Sequence, residues 1–305
     1  MMMINEALAV FLLAAAYDIL LGEMPARIHP VVWIGRLISF LRLRFPASKI
    51  GGMALALVVI AVTVLSGHLL VRAAGYLPLL PLLLSAFLLK STFSMRCLLQ
   101  VSSDIGRAIE EDMDRARSML PALVGRDTAS LSQGQASSAV IESLSENYVD
   151  GILSPIFYYV LFSPLGLGLE AALAFKAVST MDSMVGYKTE GLRELGFAGA
   201  RADDLLNFIP ARLSIFSIAL ARPLQAGAAL AAAIRFHGRT PSPNSGWPMA
   251  ACAGALGLRL EKPGSYVLLD EGKEPQTSDV PLAIGLIQRA IFLILAAALL
   301  ILYSA

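Results

Sequence analysis

Residues 53–71 read MALALVVIAVTVLSGHLLV, a run of nineteen residues without Asp, Glu, Lys or Arg. A helix crosses the hydrocarbon layer with about 20 mostly apolar residues, so this run is long enough to span. Three other stretches are comparable: Ile4 to Leu21, Leu77 to Leu89 with an extension to Met95, and Ile284 to Tyr303. The whole chain agrees with them. Of its 305 residues 56% are hydrophobic and 15% are charged, with a mean hydropathy of +0.68. A soluble domain usually carries about 25% charged residues, and a disordered chain more still. The expected class is an all-α, polytopic integral membrane protein. The first stretch has no basic leader and runs into Asp18 and Glu23 instead of a small-residue cleavage site, so it is expected to be a retained helix, not a signal peptide.

Two further apolar stretches are interrupted. Gly151 to Ala177 is broken at Ser163-Pro164-Leu165-Gly166, and Phe208 to Ile234 carries Arg212 and then Arg222-Pro223. A mid-bilayer arginine is costly and proline removes a backbone donor that lipid cannot replace, so both are expected to be re-entrant or hairpin segments. About four full spans and two hairpins put the polar segments 22–52, 96–150, 176–207 and 235–283 on one face. The first of these holds Arg27, Arg36, Arg42, Arg44 and Lys49 against Glu23 alone, which makes that face cytoplasmic by the positive-inside rule. Residues 1–305 are expected to form a single membrane domain, with no internal repeat.

A net charge of +1 suggests no nucleic-acid partner. Cys97 and Cys252 stand apart, with no CxxC spacing. Phosphate-loop, dinucleotide, HExxH and GxSxG signatures are absent, which excludes the common nucleotide-driven pumps, dehydrogenases and hydrolases.

Ionisable residues gather in a few clusters. Glu142, Glu146 and Asp150 recur every four residues, which on an α-helix lines three carboxylates along one face. Like charges so spaced repel, unless a hard cation such as Mg2+ offsets them; a solvated acidic stripe is the plainer alternative. A second cluster runs from Lys176 through Asp182-Ser183-Met184-Val185-Gly186-Tyr187 to Lys188. A third has Arg201, Asp203, Asp204 and Asn207, followed by Pro210 and Arg212. The first loop holds Asp18, Glu23 and His29, and the last polar segment holds Ser242-Pro243-Asn244-Ser245-Gly246. His68, inside an apolar span, is expected to have a packing or hydrogen-bonding role.

The order and spacing of Gly22-Glu23, His29-Pro30-Val31, Arg126-Asp127-Thr128, Glu142 to Gly151, Asp182 to Lys188, Ala200 to Asn207, Pro210-Ala211-Arg212 and Ser242 to Gly246 resemble the CobD/CbiB family of cobalamin biosynthesis along nearly the whole chain. The resemblance implies an inner-membrane adenosylcobinamide-phosphate synthase. Such an enzyme joins adenosylcobyric acid to (R)-1-aminopropan-2-yl phosphate with ATP as co-substrate and Mg2+ as cofactor. Later membrane enzymes of cobalamin assembly are implied as partners, beside membrane lipid. On this reading Glu142, Glu146 and Asp182 hold Mg2+, with Asp203 and Asp204 as further ligands, and Lys188, Arg201 and Arg212 take phosphate. Glu146 or Asp150 is the base for the incoming amine, with His29 as a rival. Arg126, Asn147, Asn207 and Asn244 contact the amide groups of the corrin. Two alternatives remain on sequence: a transporter, from the broken helices, and a non-enzymatic AmpE-like membrane sensor.

Overall fold

A computed structural model describes the backbone of residues 2–186 and 193–304, and the side chains of 6–186 and 193–304. The helices, in chain order, are α1 (Met2–Leu21), α2 (Pro30–Leu41), α3 (Lys49–Ala73), α4 (Leu80–Lys90), α5 (Met95–Glu111), α6 (Met113–Met119) and α7 (Gln133–Tyr148). A π-helical turn, Val149–Leu153, leads into α8 (Ser154–Phe162), α9 (Gly168–Val185), α10 (Arg193–Leu206), α11 (Phe208–Ala221), α12 (Ala226–Phe236) and α13 (Gly246–Leu256). The hairpin β1 (Leu260–Lys262) and β2 (Tyr266–Leu268) precedes α14 (Asp279–Ser304). The fold is therefore all-α apart from one two-stranded sheet among the described residues.

Among the described residues, four helical stretches are long and apolar enough to cross a membrane: Lys49–Tyr76, Leu80–Glu111, Gln133–Leu165 and Asp279–Ser304. Arg193–Leu206 and Phe208–Ala221 qualify only as a pair, across the break at Asn207. In α3, Leu55 and Val59 are fully buried while Leu57, Leu65 and Leu69 face outward. An apolar outer face beside an apolar inner one is what a helix in lipid requires, and this is an integral membrane protein. Both expected interruptions are present. The chain turns at Ser163–Leu165 so that α8 packs on α9, and at Pro223–Gln225 so that α11 packs on α12.

One stretch differs from the sequence expectation. The polar segment ending at Asp150 was expected to stop where the apolar segment begins, yet Gln133–Leu165 is one helical run. Serine hydroxyls in α7 find backbone acceptors, Ser145 Oγ donating to Ile141 O of the same helix at 2.7 Å and Ser143 Oγ to Leu123 O of the preceding segment at 2.6 Å. A nominally polar helix is thereby fit for burial.

Internal contacts divide the chain into two compact units. The first comprises residues 1–94, 154–206 and 297–305. Its core joins Ile34 and Ile38 of α2, Leu55 and Val59 of α3, Ala177, Met181 and Val185 of α9, and Leu195 of α10. The approach of α10 to α9 depends on Gly196, where a Cβ would lie 1.8 Å from Val185 O. The second unit comprises residues 95–153 and 207–296. Small residues let its helices meet closely: a Cβ on Gly254 of α13 would lie 2.4 Å from Ala228 O of α12. Small-residue contacts of this kind are the usual means of helix association in lipid, where burial of apolar area gives little drive.

Candidate functional site

In the second unit, α7 is held against the β-hairpin by Ser138, whose Oγ accepts from Glu261 N at 2.8 Å and donates to Glu142 Oε1 at 2.9 Å. The other oxygen of Glu142 takes Arg126 Nη2 at 3.0 Å and the Tyr266 hydroxyl at 2.5 Å. The carboxylate is 1% exposed. Burial, and then the negative charge of Glu142, push the Tyr266 phenol up, so it stays protonated and donates.

Beside this junction lies a cleft of about 260 Å³. Arg126, Glu146 and Asn147 line it, together with Ser242, Lys262 and Tyr266. Asn147 donates through Nδ2 to Ser143 O at 2.9 Å and Ser143 Oγ at 3.0 Å, which leaves its Oδ1 as an acceptor. Ser242 Oγ accepts the backbone N–H groups of Asn244 and Ser245 at 3.2 and 3.3 Å, which leaves its own O–H to donate. Arg212 Nη1 bonds to Asn244 Oδ1 at 3.1 Å while its guanidinium lies 3.5 Å over the Phe208 ring. It thus braces the turn that carries Ser242.

Glu146 and Glu142 are neighbours one turn apart on α7, but Asp150 falls in the π-helical turn. The wider turn changes the angular phase, so the expected row of three carboxylates is not an α-helical stripe. Nor is the row a solvated surface, since Glu142 is buried.

The remaining acids of the expected metal set, Asp182, Asp203 and Asp204, belong to the first unit. Close packing of α9 and α10 puts Asp182 within reach of Asp204: burial, then the Asp204 charge, raise the Asp182 carboxyl above its usual range. Arg201 Nη1 is 3.9 Å from Asp204 Oδ2 on an exposed face. Lys188 lies outside the described residues. Asn207 is buried in the second unit. Among the described residues, no group of three or more His, Cys, Asp or Glu side chains is arranged to hold a metal ion.

His29 occupies a different environment. Its Nδ1 accepts from Val31 N at 3.2 Å, capping α2, so Nε2 carries the proton and donates to Glu23 Oε2 at 3.0 Å. Both ring nitrogens are committed, which leaves no lone pair for the role of base that the sequence reading gave it. Lys90, fully buried, bonds to Asp18 and Glu23, each at 2.9 Å. Burial opposes ionisation of Glu23, but hydrogen bonds from His29, Ser94 and Lys90, and the Lys90 charge, hold its pKa at about 2. His68 has the expected hydrogen-bonding role, with Nδ1 2.8 Å from Glu170 Oε1.

A family model described as CobD/Cbib protein matches residues 11–294. The chain belongs to the CobD/CbiB family. Among its relatives, the "Probable cobalamin biosynthesis protein CobD" of Methanothrix thermoacetophila is 55% identical over 96% of this chain and 97% of its own length. The protein of the same description from Methanothermobacter thermautotrophicus is 42% identical over 86% of each chain. The "Cobalamin biosynthesis protein CobD" of Klebsiella pneumoniae is 40% identical over 82% of this chain and 80% of its own. No solved structure matches.

Sequence reasoning missed Lys262 and Tyr266 of the cleft, and the Asp18–Lys90 pair of this CobD/CbiB chain. The signal for the first two was present: Pro263-Gly264 between Glu261-Lys262 and Tyr266-Val267 is a hairpin pattern that projects side chains from both strands. Lys90 ends an apolar run and was legible only as a boundary.

Proposed function

We propose that the chain is an adenosylcobinamide-phosphate synthase. It forms the amide between the free propionate carboxylate of adenosylcobyric acid and the amine of (R)-1-aminopropan-2-yl phosphate. The observation that carries this reading is a single cleft holding Arg126, Lys262 and the Glu146 carboxylate in a membrane protein of the CobD/CbiB family.

A carboxylate does not condense with an amine until one of its oxygens becomes a leaving group. In the proposed reaction the corrinoid carboxylate attacks the γ-phosphorus of ATP, giving an acyl phosphate and ADP. The neutral amine then attacks the acyl carbon, and inorganic phosphate leaves. The amine arrives as an ammonium ion, so a base must take its proton. Glu146 has that role in the proposal, with Asp150 in the following turn as the alternative. Arg126 and Arg212 orient substrate groups in the proposal, buried Asn207 and Asn244 support the framework behind them, and Arg201 and Lys188 bind phosphate. Positioning and charge stabilisation of this kind dominate phosphoryl transfer.

Mg2+ is commonly held by one or two carboxylates together with substrate phosphates. Asp182 and Asp204, close enough that the Asp204 charge adds to burial in raising the Asp182 carboxyl, fit that pattern and would hold it, with Asp203 adjacent. Glu142 does not fit, because its oxygens are taken by Ser138, Arg126 and Tyr266. The ion would neutralise charge on the transferring phosphoryl group.

The polar segments are proposed to face the cytoplasm from the inner membrane. The test of the activity is mass-resolved product formation by detergent-purified protein given adenosylcobyric acid, the amine phosphate, Mg2+ and ATP. ATP-dependent amide product is expected. Its absence, beside an active relative assayed in parallel and with ethanolamine phosphate also inert, overturns the reading.

A further inference from the structure

The first unit carries an apolar groove that no part of the proposed chemistry uses. It measures about 380 Å³ and runs between Trp33 and Leu37 of α2 and Val62 and Leu70 of α3, with Leu88 and Leu173 behind. Trp33, Val62 and Leu70 are exposed, so the groove opens on the outer surface of the helices, where a membrane protein meets lipid. Its polar side chains are largely spent: Trp33 Nε1 donates to Arg27 O at 3.0 Å and Ser66 Oγ to Thr63 O at 3.1 Å. A volume in the range of a drug-sized ligand, walled by hydrocarbon and open to lipid, suits an acyl chain.

One end of the groove is marked by cations. Trp33, Leu37, Phe40 and Arg44 recur every three or four residues. The bonds from Arg42 N to Ile38 O at 2.9 Å and from Phe45 N to Leu41 O at 3.3 Å carry the helical winding past the end of α2. Arg44 therefore continues the face that borders the groove, about 16 Å along the axis from Trp33. That rise is about half the thickness of the hydrocarbon layer, the depth that one leaflet supplies. The Arg44 guanidinium lies 3.4 Å over the Phe40 ring and donates to Phe40 O at 2.7 Å, which fixes its direction. Residues 36–49 hold Arg36, Arg42, Arg44 and Lys49 and no Asp or Glu. Among the described residues none of the four forms an ion pair with a carboxylate, and Arg42 Nε is buried without a hydrogen-bond partner. Exposed Leu43 and Ile50 stand among these cations, the mixture found where headgroups meet hydrocarbon.

We infer that the groove between α2 and α3 binds one anionic phospholipid, with an acyl chain between the helices, the phosphate on Arg42 and Arg44, and Lys49 at the rim. A neutral lipid would leave three cations and the buried Arg42 Nε–H without a counter-charge. A soluble anion would leave the groove unfilled. A merely positive turn would attract anionic lipid without retaining it, whereas a groove for the tail makes the binding stoichiometric. The turn is also tied to α10, because Lys49 Nζ lies 5.0 Å over the Phe197 ring and a Cβ on Gly52 would lie 2.3 Å from Leu195 O. Lipid held there braces the packing of α3 on α10. None of this depends on the synthase reading.

Retention of lipid by the purified protein provides the test. Full-length protein is delipidated in a non-ionic detergent and titrated with dioleoylphosphatidylglycerol, dioleoylphosphatidylcholine or glycerol phosphate. Native mass spectrometry counts the bound molecules, and thermal unfolding reports the gain in stability. One phosphatidylglycerol is expected to be retained, at least tenfold more tightly than phosphatidylcholine, and to raise the melting temperature. Arg42→Gln with Arg44→Gln should lose that preference, and Arg42→Lys with Arg44→Lys should keep most of it. Val62→Trp places bulk in the groove from an exposed position, so it should leave the lipid-free melting temperature unchanged and weaken phosphatidylglycerol at least tenfold. Should the glutamine pair fail to fold, the lysine pair and Val62→Trp still decide. Equal retention of the two lipids by the wild type overturns the inference. So does displacement of phosphatidylglycerol by glycerol phosphate, which would mark a soluble-anion site. Retention of many phosphatidylglycerols, unaffected by Val62→Trp, would reduce the turn to a diffuse surface charge and overturns it as well.

Discussion

Arg126 and Glu142 meet at 3.0 Å, sixteen positions apart in sequence, and the carboxylate has almost no contact with solvent. Breaking a buried pair costs more than the pair contributes, because the survivor is left charged without a partner. Glu142→Gln is therefore expected to destabilise the protein by about 3–5 kcal/mol and to lower kcat/KM by at least a hundredfold. Adding Arg126→Gln should recover part of the stability and none of the activity. Thermal unfolding in detergent, beside the product assay, checks both.

The contact of Glu23 with His29, Lys90 and Ser94 predicts an acid-sensitive link between α1, α2 and α4. Its folded pKa of about 2 lies below the ordinary glutamate value of 4.5, so its stabilisation is present above pH 4.5 and is lost as pH falls towards 2. Wild-type protein should lose stability over that window, and Glu23→Gln should lose it at pH 7 already and show a flatter acid limb. Equal acid limbs in the two proteins would contradict the assignment.

Asp182 and Asp204 oppose one another across α9 and α10. Without Mg2+, Asp182→Asn relieves that repulsion and should raise the melting temperature. With Mg2+ and ATP it should raise the metal concentration needed for half-maximal turnover by about tenfold or more. A magnesium titration of activity, with melting curves run alongside, makes the comparison.

At Gly196 a Cβ would lie 1.8 Å from Val185 O. Gly196→Val would set a branched side chain against the Val185 carbonyl and should cost well over 1–3 kcal/mol, the usual toll of overpacking. Because the same contact brings Asp182 towards Asp204, the metal dependence should change with it. A variant with wild-type melting behaviour would show that the helices can separate freely.

With Cys97 and Cys252 replaced, single cysteines at Ser130, Glu190 and Pro275 should all be protected from a membrane-impermeant thiol reagent in intact cells and become reactive after lysis. Labelling of any one from outside would refute the single cytoplasmic face.

Much of this was legible in the sequence because hydrocarbon length and proline geometry act locally. The spans around residues 53–71 and 284–303, and the breaks at Pro164 and Pro223, needed no tertiary information. The site was harder to read. Spacing indicated that Glu142 and Glu146 share a helix face, but not that Arg126 and Tyr266 saturate the oxygens of Glu142, since that depends on a hairpin more than a hundred residues downstream. The hairpin carrying Lys262 was legible from Pro263-Gly264, but its place beside α7 was not. The place of His29 as a cap, with no free lone pair, could be read only from the direction of two hydrogen bonds.

The π-helical turn at Val149–Leu153 makes chain length, as well as residue identity, a constraint on this region. Deleting one residue there would let the backbone relax into an unbroken α-helix, a local gain in regularity. When the residue removed is Val149, it would also turn Asp150 by about a quarter of a revolution or more relative to Glu142 and Glu146. A shortened chain could thus fold with smoother hydrogen bonding and present Asp150 in the wrong direction.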